Sequence, residues 1–94
     1  MAAALQGIAH EVDDLRAAML AQLQGCVNAQ AVRLRLKAGC THDAPSFWQL
    51  RPGLMQAVAA ERGEAQARRS VAALDEVLRR HWPDAPLSRP APLR

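Results

Sequence analysis

Apolar residues recur at every third or fourth position along the first quarter of the chain. This spacing places them on one face of an α-helix and predicts an amphipathic helix of about five turns. Gly25 disfavours a helix by about 1 kcal/mol relative to alanine, so it marks either a kink or the end of this helix. The stripe consists of Leu5, Ile8, Val12, Leu15, Met19 and Leu23.

Residues 26–38 carry two overlapping patterns. An alternation of apolar and basic residues over 32–37 is typical of a strand. A lone strand, however, has no partner for its backbone groups. Basic residues followed by Gly39 are typical of a helix that ends on a left-handed glycine. We therefore predict a helix, whose apolar stripe is Val27, Ala31, Leu34 and Ala38.

Capping residues and prolines divide the rest of the chain. Asp43 is a favourable N-cap, and Pro45 is tolerated in the first turn after it. Pro52 ends or kinks this short segment because proline lacks an amide hydrogen. A final helical region is predicted from 54 to 82, either as one helix or as two divided near Gly63. Ion pairs with the acid four residues before the base are expected along it, at Glu64/Arg68, Asp75/Arg79 and Glu76/Arg80.

The last twelve residues are rich in proline, which leaves few amide hydrogens for regular structure. Such a composition is typical of a disordered or polyproline-like segment. The sequence thus predicts one all-α domain over residues 1–82, as a small helical hairpin or three-helix bundle, and a disordered tail over 83–94. The prolines of this tail are Pro83, Pro86, Pro90 and Pro92.

The composition predicts a thin core. Hydrophobic residues make up 50% of the 94 residues, but aromatic residues make up only 3%. Much of the apolar share is alanine, which buries little surface, so we expect a second copy or a protein partner to complete the core. The net charge of +3 is small for a nucleic-acid binder. The chain shows neither a cationic signal sequence nor a bilayer-spanning apolar run, so we expect a cytoplasmic protein without membrane contact.

The residues that could carry chemistry do not form a recognised set. Cys26 and Cys40 are separated by fourteen positions, and with His42 they still lack a fourth zinc ligand. His10, His42 and His81 have no serine or cysteine at a spacing that would suit a nucleophile, and the glycines match no phosphate-binding loop. We therefore predict free thiols, no metal, no cofactor, no small-molecule substrate and no enzyme.

Two aromatic residues follow the turn at residues 40–43. Phe47 and Trp48 are adjacent, and Trp82 lies at the end of the last predicted helix. One interpretation is that these side chains close the two ends of the core. The other is that Trp48 is an exposed anchor for a partner, because tryptophan is enriched at the energetic centres of interfaces.

The segment around this turn resembles a known family. Arg35-Leu36-Lys37-Ala38-Gly39, the following Asp43-Ala44 and then Phe47-Trp48 are similar to the small helical co-chaperones of type III secretion needle subunits, the YscE-like family. The resemblance covers residues 10–60 and departs from the family pattern at Pro52-Gly53. It implies a helical hairpin that helps a larger partner to hold an aggregation-prone needle monomer.

These observations predict a non-enzymatic helical module that binds another protein or a second copy, as an adaptor or a small co-chaperone. A DNA-binding regulator is the alternative, since the turn at 39–43 lies between two helical segments, although the prolines leave a short recognition helix. The first stripe is longer than the apolar stripe of the last helix, so we expect part of it to remain uncovered. The predicted partner-binding residues are Ile8, Val12, Leu15, Met19, Leu23, Phe47 and Trp48.

Overall fold

The structure, a computed structural model, describes the backbone of residues 2–86 and the side chains of residues 11–86. Within these residues all regular structure is α-helical, which confirms the predicted fold class. The helices are α1 (Ala2–Leu23), α2 (Ala29–Gly39), α3 (Ala44–Gln49), α4 (Arg51–Arg62) and α5 (Glu64–His81).

The ambiguous region after Gly25 is a helix, as predicted, but it runs over Ala29–Gly39 instead of 26–38. Gly25 has a φ of 84° and separates α1 from α2, and the Asn28 side chain caps α2 by accepting a hydrogen bond from the Ala31 amide at 2.9 Å. The prediction of a left-handed Gly39 is wrong, because Gly39 is the last helical residue and Cys40 caps the helix with a φ of −104°. The side chain of Arg16 on α1 satisfies carbonyl groups at this helix end, so a left-handed glycine is not required there.

Three helices form the described part of the second half of the chain, and α4 begins at Arg51 instead of at the predicted residue 54. Asp43 caps α3 by accepting a hydrogen bond from the Ser46 amide at 2.8 Å. Pro52 occupies the first turn of α4, where the missing amide hydrogen costs nothing. Gly63, with a φ of 89° and a ψ of 164°, separates α4 from α5. That backbone conformation is essentially restricted to glycine, so Gly63 fixes the break between the two helices.

The core lies where α1, α2, α4 and α5 meet. Helices α4 and α5 pack on each other, and α1 packs on α5, on α2 and on α4. Phe47 on α3 is fully buried at this junction, as expected for an aromatic residue that closes the core. The other large side chains without solvent exposure are Leu15, Met19, Leu23, Leu54, Val58, Leu74 and Leu78.

A buried ion pair joins α4 to α5. The Arg51 guanidinium donates to both carboxylate oxygens of Asp75, with Nε at 2.7 Å from Oδ1 and the second nitrogen at 2.9 Å from Oδ2. The side chains keep only 15% and 9% of their surface exposed. The sequence spacing predicts an ion pair between Asp75 and Arg79. In the structure Asp75 instead pairs with Arg51 on the neighbouring helix. The predicted surface pair of Glu64 and Arg68 is present at 3.2 Å.

The packed domain extends beyond the predicted boundary at residue 82. Ala85 is buried, and its amide donates to the Trp82 carbonyl at 3.0 Å. The Trp48 indole nitrogen donates to the Pro86 carbonyl at 3.1 Å. Residues 83–86 therefore belong to the folded domain, since they form a turn that is hydrogen-bonded to the Trp48 side chain. The remainder of the predicted disordered tail, residues 87–94, lies outside the described residues.

Candidate protein-docking surface on the second helix

The residues that the sequence assigned to a partner are mostly in the core of this chain. Met19 and Phe47 are fully buried, and Trp48 is half-buried with its indole nitrogen bonded to Pro86. The expectation of an uncovered stripe on α1 is wrong for its described part because α2 and α4, as well as α5, pack on that helix. The side chain of Ile8 lies outside the described residues, and the other buried members are Val12, Leu15 and Leu23.

The exposed apolar side chains lie instead on α2 and beside it. Leu36 is 68% exposed and Val32 is 45% exposed. They are four residues apart and therefore lie on one face of the helix. Val27, immediately before the N-cap of α2, is 78% exposed, and Leu20 on α1 is 37% exposed. Large apolar side chains that remain in water on one helix face are typical of an interaction surface.

Basic residues border this apolar face. Arg33 and Lys37 are both exposed, and each is one position after one of the two apolar residues. Helix α2 contains no acidic residue, so the charged side chains on its outer surface are all positive. We call the surface formed by Val32, Arg33, Leu36 and Lys37 the α2 face.

Two arginines fix α2 against α1. Arg35 on α2 donates to the carbonyl of Leu23, the last residue of α1, at 3.1 Å and to that of Cys26 at 2.8 Å. Arg16 on α1 donates to the carbonyls of Ala38 at 2.9 Å and Thr41 at 2.8 Å, at the end of α2. Carbonyl groups at helix ends lack partners within the helix, so each arginine completes the other helix. The α2 face is therefore held in a defined orientation.

A carboxylate from α4 holds the other end of α2. Glu61 accepts hydrogen bonds from the Val27 amide at 2.6 Å and from the Asn28 amide at 2.8 Å. The Asn28 side-chain nitrogen also donates to Glu61 at 2.6 Å and to the Ala57 carbonyl at 3.0 Å. The hydrogen bond from the Asn28 amide is the main cause of a lowered pKa for Glu61. The segment that precedes α2 is thus attached to α4 by a charged acceptor.

This lowered pKa predicts a dependence of stability on pH. Because the folded state holds the pKa of Glu61 below its ordinary value of 4.5, the carboxylate contributes stability above that pH and loses it as the pH falls through the folded pKa. Glu61→Gln is expected to be less stable than the parent at pH 7, and the difference should shrink below pH 4.5. Urea unfolding of both proteins at several pH values measures it. A difference that is constant from pH 7 to pH 3 would contradict the assignment.

The sequence contains a partial signal for the α2 face, which is a second apolar pair on the same helix. The helical stripe of residues 27, 31, 34 and 38 leaves Val32 and Leu36 on another side of the helix, where large apolar residues are unexpected. Val32 and Leu36 also belong to the alternation of apolar and basic residues over 32–37. That alternation is typical of a strand, so the second helical stripe is difficult to recognise. Val27, which the sequence pattern assigned to the buried stripe, is exposed because it precedes the helix instead of belonging to it.

A separate cleft lies where α1, the turn before α3 and the end of α5 meet. The His81 imidazole is 2.8 Å from a carboxylate oxygen of Asp14 at its edge. The residues that line the cleft include no serine, cysteine or lysine to act as a nucleophile. The cleft has a volume of about 340 Å³ and is lined by Glu11, Val12, His42, Asp43, Ala44, Pro45, His81 and Trp82.

The cysteines lie in different environments. Cys26 is buried, Cys40 is exposed, and both are free thiols. Over the described part of the chain, no three His, Cys, Asp or Glu side chains are grouped so that they could hold a metal ion. None of the described helices combines the length and the hydropathy that a membrane span requires.

The chain matches no family model, and comparisons with curated proteins and with solved structures found no match.

Proposed function

We propose that this protein is a non-enzymatic helical module that docks another protein on the α2 face. The observation that carries the proposal is the exposure of Val32 and Leu36 on a helix whose position is fixed at both ends. A surface that is already ordered loses little conformational entropy on binding, which favours affinity. An adaptor and a small co-chaperone, the role implied by the resemblance of residues 10–60, are both forms of this function.

A DNA-binding function receives less support from the geometry. The segment after the turn, α3, has six residues, whereas a recognition helix presents several side chains along a DNA groove. Phe47 on α3 is also fully buried. Helix α3 has no basic residue, whereas α2, ahead of the turn, carries three, so the helix that should enter the groove is not the basic one of the two.

The proposal is tested by a capture experiment with matched surface variants. Affinity-tagged parent protein, the variant Val32→Gln/Leu36→Gln and the control Ala65→Gln/Ala72→Gln are incubated with extract of the source cells. Ala65 and Ala72 are exposed positions on α5. We expect one stoichiometric protein to bind the parent and the control but not the α2 variant. A partner that binds all three proteins equally, or no stoichiometric partner, would contradict docking on the α2 face.

A further inference from the structure

We infer that the occupant of the α2 face is an acidic amphipathic helix of a partner protein, an inference that rests on the proposed function. The α2 face combines the apolar side chains of Val32 and Leu36 with the exposed cations Arg33 and Lys37. Its complement is a helix with a narrow apolar stripe and carboxylates beside that stripe. Helices of this kind commonly bind by laying their apolar face on a hydrophobic surface.

The dimensions of the surface suit a helix. The eleven residues of α2 extend about 16 Å, which equals about three turns of an opposing helix. Leu20 is a further exposed apolar side chain on α1, one turn after Arg16, whose side chain reaches the end of α2. A partner helix that lies on α2 and crosses toward α1 would contact Leu36, Val32 and Leu20.

Charge complementarity selects an acidic partner. The Arg33 guanidinium donates a hydrogen bond to the Gln30 side chain at 3.2 Å, and this neutral acceptor does not neutralise its charge. Helix α2 has no acidic residue of its own. Like charges that face each other across an interface oppose association. A second copy of this chain, paired face to face through α2, would bring Arg33 and Lys37 of both copies together, so an acidic helix is favoured over self-association.

The experiment uses the whole protein and three synthetic helical peptides of 18 residues, a length of about 27 Å. All three carry the same leucine stripe at helical spacing, and the positions beside the stripe are glutamate, glutamine or lysine. Binding is measured by calorimetry at low and at high salt. We expect the glutamate peptide to bind at least tenfold more tightly than the glutamine peptide, the lysine peptide not to bind, and added salt to weaken binding.

Two pairs of substitutions locate the site. Arg33→Glu/Lys37→Glu should weaken binding of the glutamate peptide at least tenfold and should allow the lysine peptide to bind. The matched control Arg69→Glu/Arg80→Glu makes the same change of charge at exposed positions of α5, a helix that is not among the packing neighbours of α2. It should leave the affinity for the glutamate peptide within about twofold of the parent. Circular dichroism checks that each variant keeps its helical content.

Any other outcome contradicts an acidic helical partner, and each such outcome points to a different occupant of the α2 face or to none. Equal binding of all three peptides, lost in Val32→Gln/Leu36→Gln, would refute an acidic partner while supporting docking on the α2 face. Dimerisation of the parent that the same variant abolishes would assign the face to a second copy. Binding to anionic vesicles or duplex DNA in place of the peptides would refute both the inference and the proposed function. If none of the peptides binds, the acidic helix is excluded, and the capture experiment alone then decides the proposed function.

Discussion

Met19→Glu is expected to unfold the protein. Met19 has no solvent-exposed surface and lies in the core beside other fully buried side chains. An ionised carboxylate placed there loses its hydration without a partner, which costs several kcal/mol, and the apolar contacts of methionine are lost as well. A domain of this size has a total stability of about 5–15 kcal/mol. We therefore expect the cooperative thermal transition to disappear at pH 7.

Leu36→Glu is the matched control for this experiment. It introduces the same carboxylate in the same kind of secondary structure, but at a side chain that is 68% exposed. The new charge remains hydrated, so stability should change by less than about 0.5 kcal/mol. Circular dichroism melts of the two variants measure both effects. A folded Met19→Glu protein with a normal melt would show that Met19 is accessible to solvent and would restore α1 as an interaction face.

Asp75→Ala should destabilise the protein by about 3 kcal/mol. The substitution leaves the Arg51 guanidinium, which is 15% exposed in its side chain, without the carboxylate that accepts two of its hydrogen bonds. Removal of one partner from a buried pair costs about 3–5 kcal/mol because the remaining charge is desolvated. Because the Arg51 side chain keeps some exposure to water, we expect a loss of stability at the lower end of this range. Chemical denaturation at pH 7 gives the value.

Two comparisons separate this effect from the general loss of a surface charge. Glu64→Ala removes the exposed partner of Arg68 at 3.2 Å and should cost less than about 0.5 kcal/mol. The double variant Arg51→Met/Asp75→Leu replaces the pair by apolar side chains and should recover most of the stability lost in Asp75→Ala. A double variant that is less stable than Asp75→Ala would contradict the desolvation argument.

Local chemistry was sufficient to predict the helical regions but only some of their boundaries. Asp43 caps α3 as the sequence predicts. Pro52 lies in the first turn of α4 instead of ending or kinking the segment before it, and Gly63 decides for two helices between the two alternatives that the sequence left open. The sequence predicts a left-handed conformation for Gly39, but Gly39 is helical. The reason is that Arg16, which is 22 residues away from Ala38 in sequence, donates a hydrogen bond to the Ala38 carbonyl at that helix end.

The interaction surface required the tertiary structure. The length of the α1 stripe indicated an uncovered face only as long as α5 was counted as its main neighbour. The packing of α2 and α4 on α1 removes that surplus and moves the exposed apolar surface to Val32 and Leu36. Which of two apolar stripes is buried depends on what packs against them, and the spacing of residues within one helix does not contain that information.

The sequence by itself determined that this chain is helical and approximately where its helices lie. These properties follow from hydrophobic periodicity and from the backbone preferences of glycine, proline and capping residues, which act within about four positions. The tertiary structure decided that Met19 is in the core, that Asp75 pairs with Arg51 and that the α2 face is exposed. Each of these depends on residues more than twenty positions apart, which only folding brings together.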